Sequence, residues 1–252
     1  MRSSGVCGDL ALAGARRTLV VMPVPPGRDV PRPRCAEHSQ PSVAGAIASR
    51  HMAESWVTPV TLEGSIVRLE PLSLEHLEGL AEVAFDPSIW RWTIAQPTEI
   101  DGLRQWVETA LASRAAGSEM PFATIDAASG RPIGSTRFMS IVPEHRRLEI
   151  GWTWVAPAWQ RKGANQEAKY LQLRHAFEEL GANRVEFKTD SLNEKANPAL
   201  LAIGATFEGT FRNHMIMPGG RLRHSNYYSV TREEWPDRKA RLEARIAGFL
   251  PS

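Results

Sequence analysis

The sequence predicts a mixed α/β fold, on three observations. Stretches that alternate apolar and polar residues, such as "IVRLEPL" and "RLEIGWTWV", are interleaved with stretches whose apolar residues recur at helical spacing, such as "LEHLEGLAEVAF" and "QEAKYLQLRHAFEEL". Glycine and proline punctuate the junctions between them. The 252 residues leave room for one sizeable domain with appendages rather than two full cores.

The first 51 residues stand apart. They carry seven arginines, no lysine and three acids, a net charge of +4, whereas residues 52–252 carry −2. Both cysteines, Cys7 and Cys35, lie in this segment, and all eight tryptophans lie beyond Met52. Its "VMPVPPGRDVPRPR" buries too little apolar surface to offset chain entropy, so residues 1–54 are read as a disordered leader or an upstream extension with Met52 as the functional start. Arg16 and Arg17 precede an apolar run that proline cuts short, which argues against an export signal. The domain is expected over 55–235, with a C-terminal helix and tail over 236–252. Without a cysteine in the body or an 18-residue apolar run, a soluble cytoplasmic protein is expected. The whole-chain balance of 30 Lys plus Arg against 28 Asp plus Glu gives no large field, so neither nucleic acid nor membrane is an expected partner.

The elements follow in order. "IVRLEPL" reads as an edge strand ended by Pro71, and Ser73 as the N-cap of a helix whose Leu74, Leu77, Leu80, Ala81 and Ala84 share a stripe. "DPSIWRWTIAQPT" reads as a loop. Thr98 then caps a second helix, with Leu103, Trp106, Val107, Ala110 and Leu111 on one face and Gly117 at its stop. "MPFATID", "IGSTRFMSIV" and "RLEIGWTWV" form a three-strand meander. A third helix carries Ala164, Ala168, Leu171, Leu173, Ala176, Phe177 and Leu180 on its buried side and stops at Gly181. "RVEFKTD" is a strand, "NEKANPALLAIGA" a short helix, and the segments either side of "PGG" a hairpin. Thr231 and Glu234 form a capping box for the last helix.

The stretch Gln160-Arg161-Lys162-Gly163-Ala164-Asn165 joins a strand to a helix N-terminus. The first-turn amides of a helix lack intrahelical partners, its dipole adds about half a positive charge, and Gly163 removes a side chain that would block close approach. Arg161 and Lys162 add full charges, so the junction is suited to phosphate, although an ordinary exposed loop has the same composition. Neither a Walker loop nor a G-x-G-x-x-G after a strand is present, which argues against an NTPase or a dinucleotide site.

This order of elements, with Gln160 to Ala164 matching [Q/R]-x-x-G-x-[G/A] up to its last position and Asn165 departing from it, resembles the GNAT N-acetyltransferase superfamily. "EIGWTWVAPAWQRKGANQEAKYLQLRHAFEELGANRVEFKTDSLNEKA" is similar to its RimJ/RimL-type ribosomal-protein acetyltransferases. The resemblance implies a mixed, mostly antiparallel sheet of about seven strands flanked by helices and splayed between the fourth, "RLEIGWTWV", and the fifth, "RVEFKTD". It implies acetyl-CoA as donor, its pyrophosphate on the amides of Arg161, Lys162, Gly163, Ala164 and Asn165 beside Gln160. The pantetheine arm would pair against Trp154 and Val155, with Asn193 near it; the serine that relatives place three residues later is Ala196 here. The acceptor implied is a primary amine on a protein or a small molecule, with monomer and homodimer both open.

Such a transfer needs an uncharged amine, and Glu149 is the candidate base. Strand alternation would place Glu149, Gly151 and Thr153 on one face and Leu148, Ile150, Trp152 and Trp154 on the other. A strand glutamate that is merely ion-paired is the plainer alternative. Tyr228 is the candidate acid, since relatives place a tyrosine there, although Tyr227 and Tyr228 necessarily point to opposite faces. Trp90 and Trp92 either line the acceptor pocket or belong to the core, and Arg212, Asn213 and His214 either contact the acceptor or are merely exposed. His175 is expected to be packed. No Cys/His cluster has metal-ligand spacing, so no metal is expected. Two further alternatives are transfer of another acyl group, such as succinyl, and a non-catalytic acyl-CoA-binding module.

Overall fold

A computed structural model describes residues 55–250. The expected leader over 1–54 lies outside the described residues. Eight strands form one sheet in the order β1-β2-β3-β4-β5-β6-β8-β7. They are β1 (Leu62–Glu63), β2 (Val67–Pro71), β3 (Met120–Asp126), β4 (Pro132–Val142), β5 (Arg147–Val155), β6 (Arg184–Asp190), β7 (Thr206–Ile216) and β8 (Leu222–Thr231). Every neighbouring pair is antiparallel except β5 with β6. The expected mixed, mostly antiparallel sheet is therefore present, with the two-residue β1 as its extra strand.

Among the described residues six α-helices flank the sheet: α1 (Leu77–Ala84), α2 (Pro87–Trp90), α3 (Ile100–Ala115), α4 (Ala164–Arg174), α5 (Ala196–Ala202) and α6 (Trp235–Ala247). Ser73 begins a single 3₁₀ turn that runs into α1, its amide donating to His76 Nδ1 at 3.1 Å. The stretch read as a loop contains α2, which Asp86 caps through the Ser88 amide. Glu99, one residue beyond the expected Thr98, holds the N-cap position of α3. The last turn of the fourth helix loosens into a π turn over His175–Glu179, where His175 stacks on Phe138 as expected of a packed residue. At the start of α6 the Glu234 carboxylate accepts the Thr231 amide at 2.9 Å.

A core lies on each face of the sheet. On one face α4 and α6 cover Leu69, Phe122, Phe138, Leu148, Ile150, Val185 and Phe187. On the other, α1, α2 and α3 pack with Ala123, Ile125 and Trp154. Among the described residues, no helix is long and apolar enough to cross a membrane.

Glu167 ties the edge of the sheet to α4. Its buried carboxylate accepts the amides of Ser65, Ile66 and Val67 at 2.9, 2.6 and 2.6 Å. These bonds satisfy the turn between β1 and β2, which would otherwise bring unpaired donors against the helix.

Beside β5, Gly134 is required by a close approach, since a Cβ there would stand 2.2 Å from the Trp154 carbonyl oxygen. The obstacle is backbone held in the sheet, so it has little room to yield. Gly134→Ala is expected to destabilise the protein by about 1–3 kcal/mol in urea titration, the range for overpacking a filled interior.

Candidate active site

The feature around which the site is built is a break between β5 and β6. Parallel pairing runs only through Arg147–Arg184, Leu148–Val185 and Glu149–Glu186. Among the described residues the edge of β5 beyond Glu149 has no strand partner on the β6 side, and the expected slot opens there.

A bulge shapes the far side of the slot. Against β4, Arg137 is opposite Gly151 and Ser135 opposite Trp154, so three steps of β5 match two of β4, and Trp152 takes φ +49. The extra residue inverts the alternation expected for β5. Leu148, Ile150 and Val155 join the α4-side core, whereas Trp152 and Trp154 join the α3-side core. Thr153 therefore lies on the α4 face, opposite Glu149 and Gly151, and the expected grouping of Glu149 with Thr153 is corrected.

Both faces of the bulge are braced. On the α3 side the buried Arg137 guanidinium lies 4.5 Å from the Trp106 ring centre and 5.1 Å from that of Trp152, and it bonds Glu119 at 2.7 Å. On the α4 side Lys169 donates to the hydroxyls of Thr153 and Thr136, and Thr136 also bonds Gln172 Oε1 at 3.0 Å. Lys169 and Gln172 are 4% and 0% exposed. Burial pushes the Lys169 ammonium down to about 7; its neighbours among the described residues are two hydroxyls and the Phe187 ring, with no carboxylate bonded to it. Apolar spacing identifies the buried side of α4 but passes over Glu167, Lys169 and Gln172, which share it. Only a polar residue recurring at core positions of the helix would have flagged them.

The loop before α4 has the features read from the sequence. Gly163 is the N-cap at φ +88, and Arg161 also takes a left-handed conformation at φ +61. Among the described residues the amides of Ala164, Asn165 and Gln166 have no acceptor, and Arg161 and Lys162 are exposed. Gln160 bonds the Val155 carbonyl at 2.9 Å, fastening the loop to the end of β5. Asn193, just past β6, uses its Oδ1 to accept the amides of Lys195 and Ala196 at the start of α5, which leaves Nδ2 free of partners among the described residues. These groups fit a donor with a pyrophosphate and an amide-bearing arm: unpaired helix amides and two cations at one end, an unpaired strand edge and a side-chain amide along the slot.

Glu149 lies on the α3 side, 3% exposed. Burial pushes its carboxyl up, against the opposing effect of Lys188, whose Nζ is 3.5 Å away; Glu186 adds to the rise. The next strands extend this face with Lys188 on β6 and Arg223, Ser225 and Tyr227 on β8, Lys188 lying 6.0 Å from the Tyr227 ring centre. Tyr228 is not on it. Its hydroxyl is buried among the α4-side core and donates to Asn197 Oδ1 at 2.8 Å, so the candidate acid does not share a face with the candidate base. Tyr227 is the tyrosine that shares a face with Glu149. The two tryptophans also divide: Trp90 is core at 3% exposure, edge-on to Trp106 and tilted against Trp154, while Trp92 is half-buried with Arg91 and Arg221 against its ring. Arg212, Asn213 and His214 line a shallow concavity on the hairpin with Phe211 and His224.

Residues 67–206 match the family described as Acetyltransferase (GNAT) domain. An uncharacterized N-acetyltransferase of Bacillus subtilis, YoaA, is 31% identical over 100 residues, 40% of this chain and 55% of the relative, so the match spans about half of that protein. A crystal structure of a GCN5-related N-acetyltransferase from Brucella melitensis superposes with a TM-score of 0.71 at 31% identity, covering 75% of this chain and 86% of the other. The same fold at 19% identity occurs in Mycobacterium smegmatis RimJ, solved in complex with CoA-disulfide, with a TM-score of 0.65 over 74% of this chain and 95% of that one.

The Lys169 brace sets a pH dependence. Its folded pKa of about 7 lies below the ordinary 10.5, so between these values the unfolded chain holds a proton that the folded chain does not, and stability rises with pH. Below about pH 7 both forms are charged and the full burial cost remains. The stability of the protein relative to Lys169→Met is therefore expected to rise by about 1–3 kcal/mol between about pH 7 and pH 9, measured by urea titration of both proteins.

Proposed function

Because the chain belongs to the family of GNAT acetyltransferases, we propose that it moves the acetyl group of acetyl-CoA directly to a primary amine, with residues 55–235 as the transferring unit. The single observation that carries this reading is the slot beyond Glu149. There an unpaired strand edge runs from the unpartnered amides of α4 to a buried carboxylate.

In this reading Arg161, Lys162, Gly163, Ala164 and Asn165 hold the pyrophosphate, with Gln160 keeping the loop on β5. The backbone of Trp154 and Val155 and the Asn193 side chain orient the arm. The acceptor arrives as an ammonium on the α3 side of the sheet, and Glu149 takes one proton from it, directly or through a water. The freed lone pair forms the N–C bond at the thioester carbonyl, the C–S bond breaks, and its electrons leave on sulfur. The second nitrogen proton ends on the thiolate, and Glu149 returns its own to solvent. A thiol titrates near 8.5, so the leaving group needs no tyrosine to depart. The raised pKa of Glu149 makes it a stronger base than an exposed carboxylate, while Lys188 keeps the ionised form accessible.

Two measurements test this. Gly163→Val places a β-branched residue at φ +88, where even a Cβ would meet Ile66 and Phe249 at 2.6 and 2.9 Å. Its CoA affinity in calorimetry is expected to fall at least about tenfold, and equal affinity would remove the loop from the account. Glu149→Gln is expected to lower kcat by about 10²–10⁴ with CoA affinity nearly retained. The carboxylate stops working as pH falls through its raised pKa, so the acidic limb of kcat/KM is expected in the parent enzyme and absent in the variant. A drop of less than about threefold would move the base elsewhere.

A further inference from the structure

The α3-side face of β6 and β8 holds a cation that the reaction as derived does not use. Arg223 is 7% exposed, yet its hydrogen-bond acceptors are both neutral: Ser225 Oγ takes Nε at 3.0 Å and the Trp92 carbonyl takes Nη1 at 3.3 Å. Among the described residues no carboxylate lies within ion-pair distance of it. Asp190, whose charge acts on Arg223, is engaged by Arg221 through Oδ2 at 2.5 Å and by the Leu192 amide through Oδ1 at 3.0 Å. The other cation on the face, Lys188, is the one beside Glu149. Lys188 thus has Glu149 and Arg221 has Asp190, while among the described residues Arg223, the most buried of these three cations, has no carboxylate of its own.

A buried guanidinium without an anion is costly, and proteins seldom keep one that is not paired. The surroundings carry its sign. His214, bonded to Ser225 Oγ at 3.0 Å, is held below its usual range by burial and by the charges of Lys188 and Arg223. Burial works against the Arg223 charge, and Asp190 and then Glu149 act to favour it, so Glu149 and Arg223 are electrostatically in reach of each other across this face. The Trp92 carbonyl fixes the guanidinium plane, as an anion-binding fork requires.

We propose that Arg223 forms an anion subsite within the acceptor cleft, so that the acceptor is an amine that also bears a carboxylate or a phosphate, its nitrogen at Glu149 and its anion at Arg223. This rests on the transfer reaction proposed above. It makes the site selective for amphoteric small molecules over simple amines, because an amine alone would leave Arg223 unmatched.

The full-length protein, given acetyl-CoA, is assayed by release of CoA thiol with matched acceptors: propylamine against β-alanine, and ethanolamine against phosphoethanolamine. The anionic member of at least one pair is expected to have a kcat/KM at least about tenfold higher, and the pair that responds identifies carboxylate or phosphate. Arg223→Gln is expected to lower that ratio by about tenfold to a hundredfold, with Arg223→Lys keeping part of it. Should Arg223→Gln fail to fold, competitive inhibition of propylamine acetylation by propionate or inorganic phosphate reads the same subsite in the parent protein. Equal rates within both pairs, a variant that lowers both members alike, or no competition by either anion would overturn the subsite while leaving amine acetylation intact. If no amine in the panel is acetylated, the transfer reaction fails and the subsite fails with it.

Discussion

The structure depends on the short life of one strand pairing. β5 and β6 run together for three residue pairs and then separate. A sheet that parts in its interior gives up hydrogen bonds and packing, and something must keep it from closing or unravelling. Here the separation is fixed from β5, whose bulge at Trp152 is gripped on one face by the Arg137 guanidinium and on the other by the Lys169 and Thr136 cluster. Neither brace is apolar. Both are polar groups with short ranges of acceptable geometry, which suits a task of holding a shape more than one of maximising stability.

Most of the architecture was legible because the signals that specify it are periodic. α3, α4 and α6, the meander and the closing hairpin all lie where apolar spacing and turn residues place them. The errors cluster where a single residue changes the rule. An extra residue in β5 leaves no trace in an alternating pattern, yet it reverses the face of everything after Gly151, and so simple alternation puts Thr153 on the wrong side. The two adjacent tyrosines posed the same difficulty. One had to face the cleft, and only the register of β8 on β6 assigns Tyr227 to it and Tyr228 to the core.

The polar members of α4 were invisible for a different reason. Glu, Lys and Gln are ordinary on a solvated helix face, and a periodicity argument treats them as the outside. Glu167, Lys169 and Gln172 are buried because their partners come from β2, β4 and β5, more than ten residues away in every case. Long-range pairing of this kind is a property of the fold and cannot be read from a window of sequence. Gln160, Arg161, Lys162 and Gly163, by contrast, act through local backbone geometry, and that part of the candidate site was recognisable in advance.

Gly163 has a neighbour that sets the order of events in a growing chain. It is enclosed by Ile66, ahead of it in the sequence, and by Phe249, which follows it by 86 residues. A ribosome adding roughly 5–20 residues per second needs several seconds to travel from one to the other. During that interval α4, β6, β7 and β8 are added, and the glycine turn is walled on the Ile66 side only. The second wall of the turn thus arrives as a late step of synthesis, and a nascent chain stalled within α6 would carry every residue of the loop without Phe249 beside it.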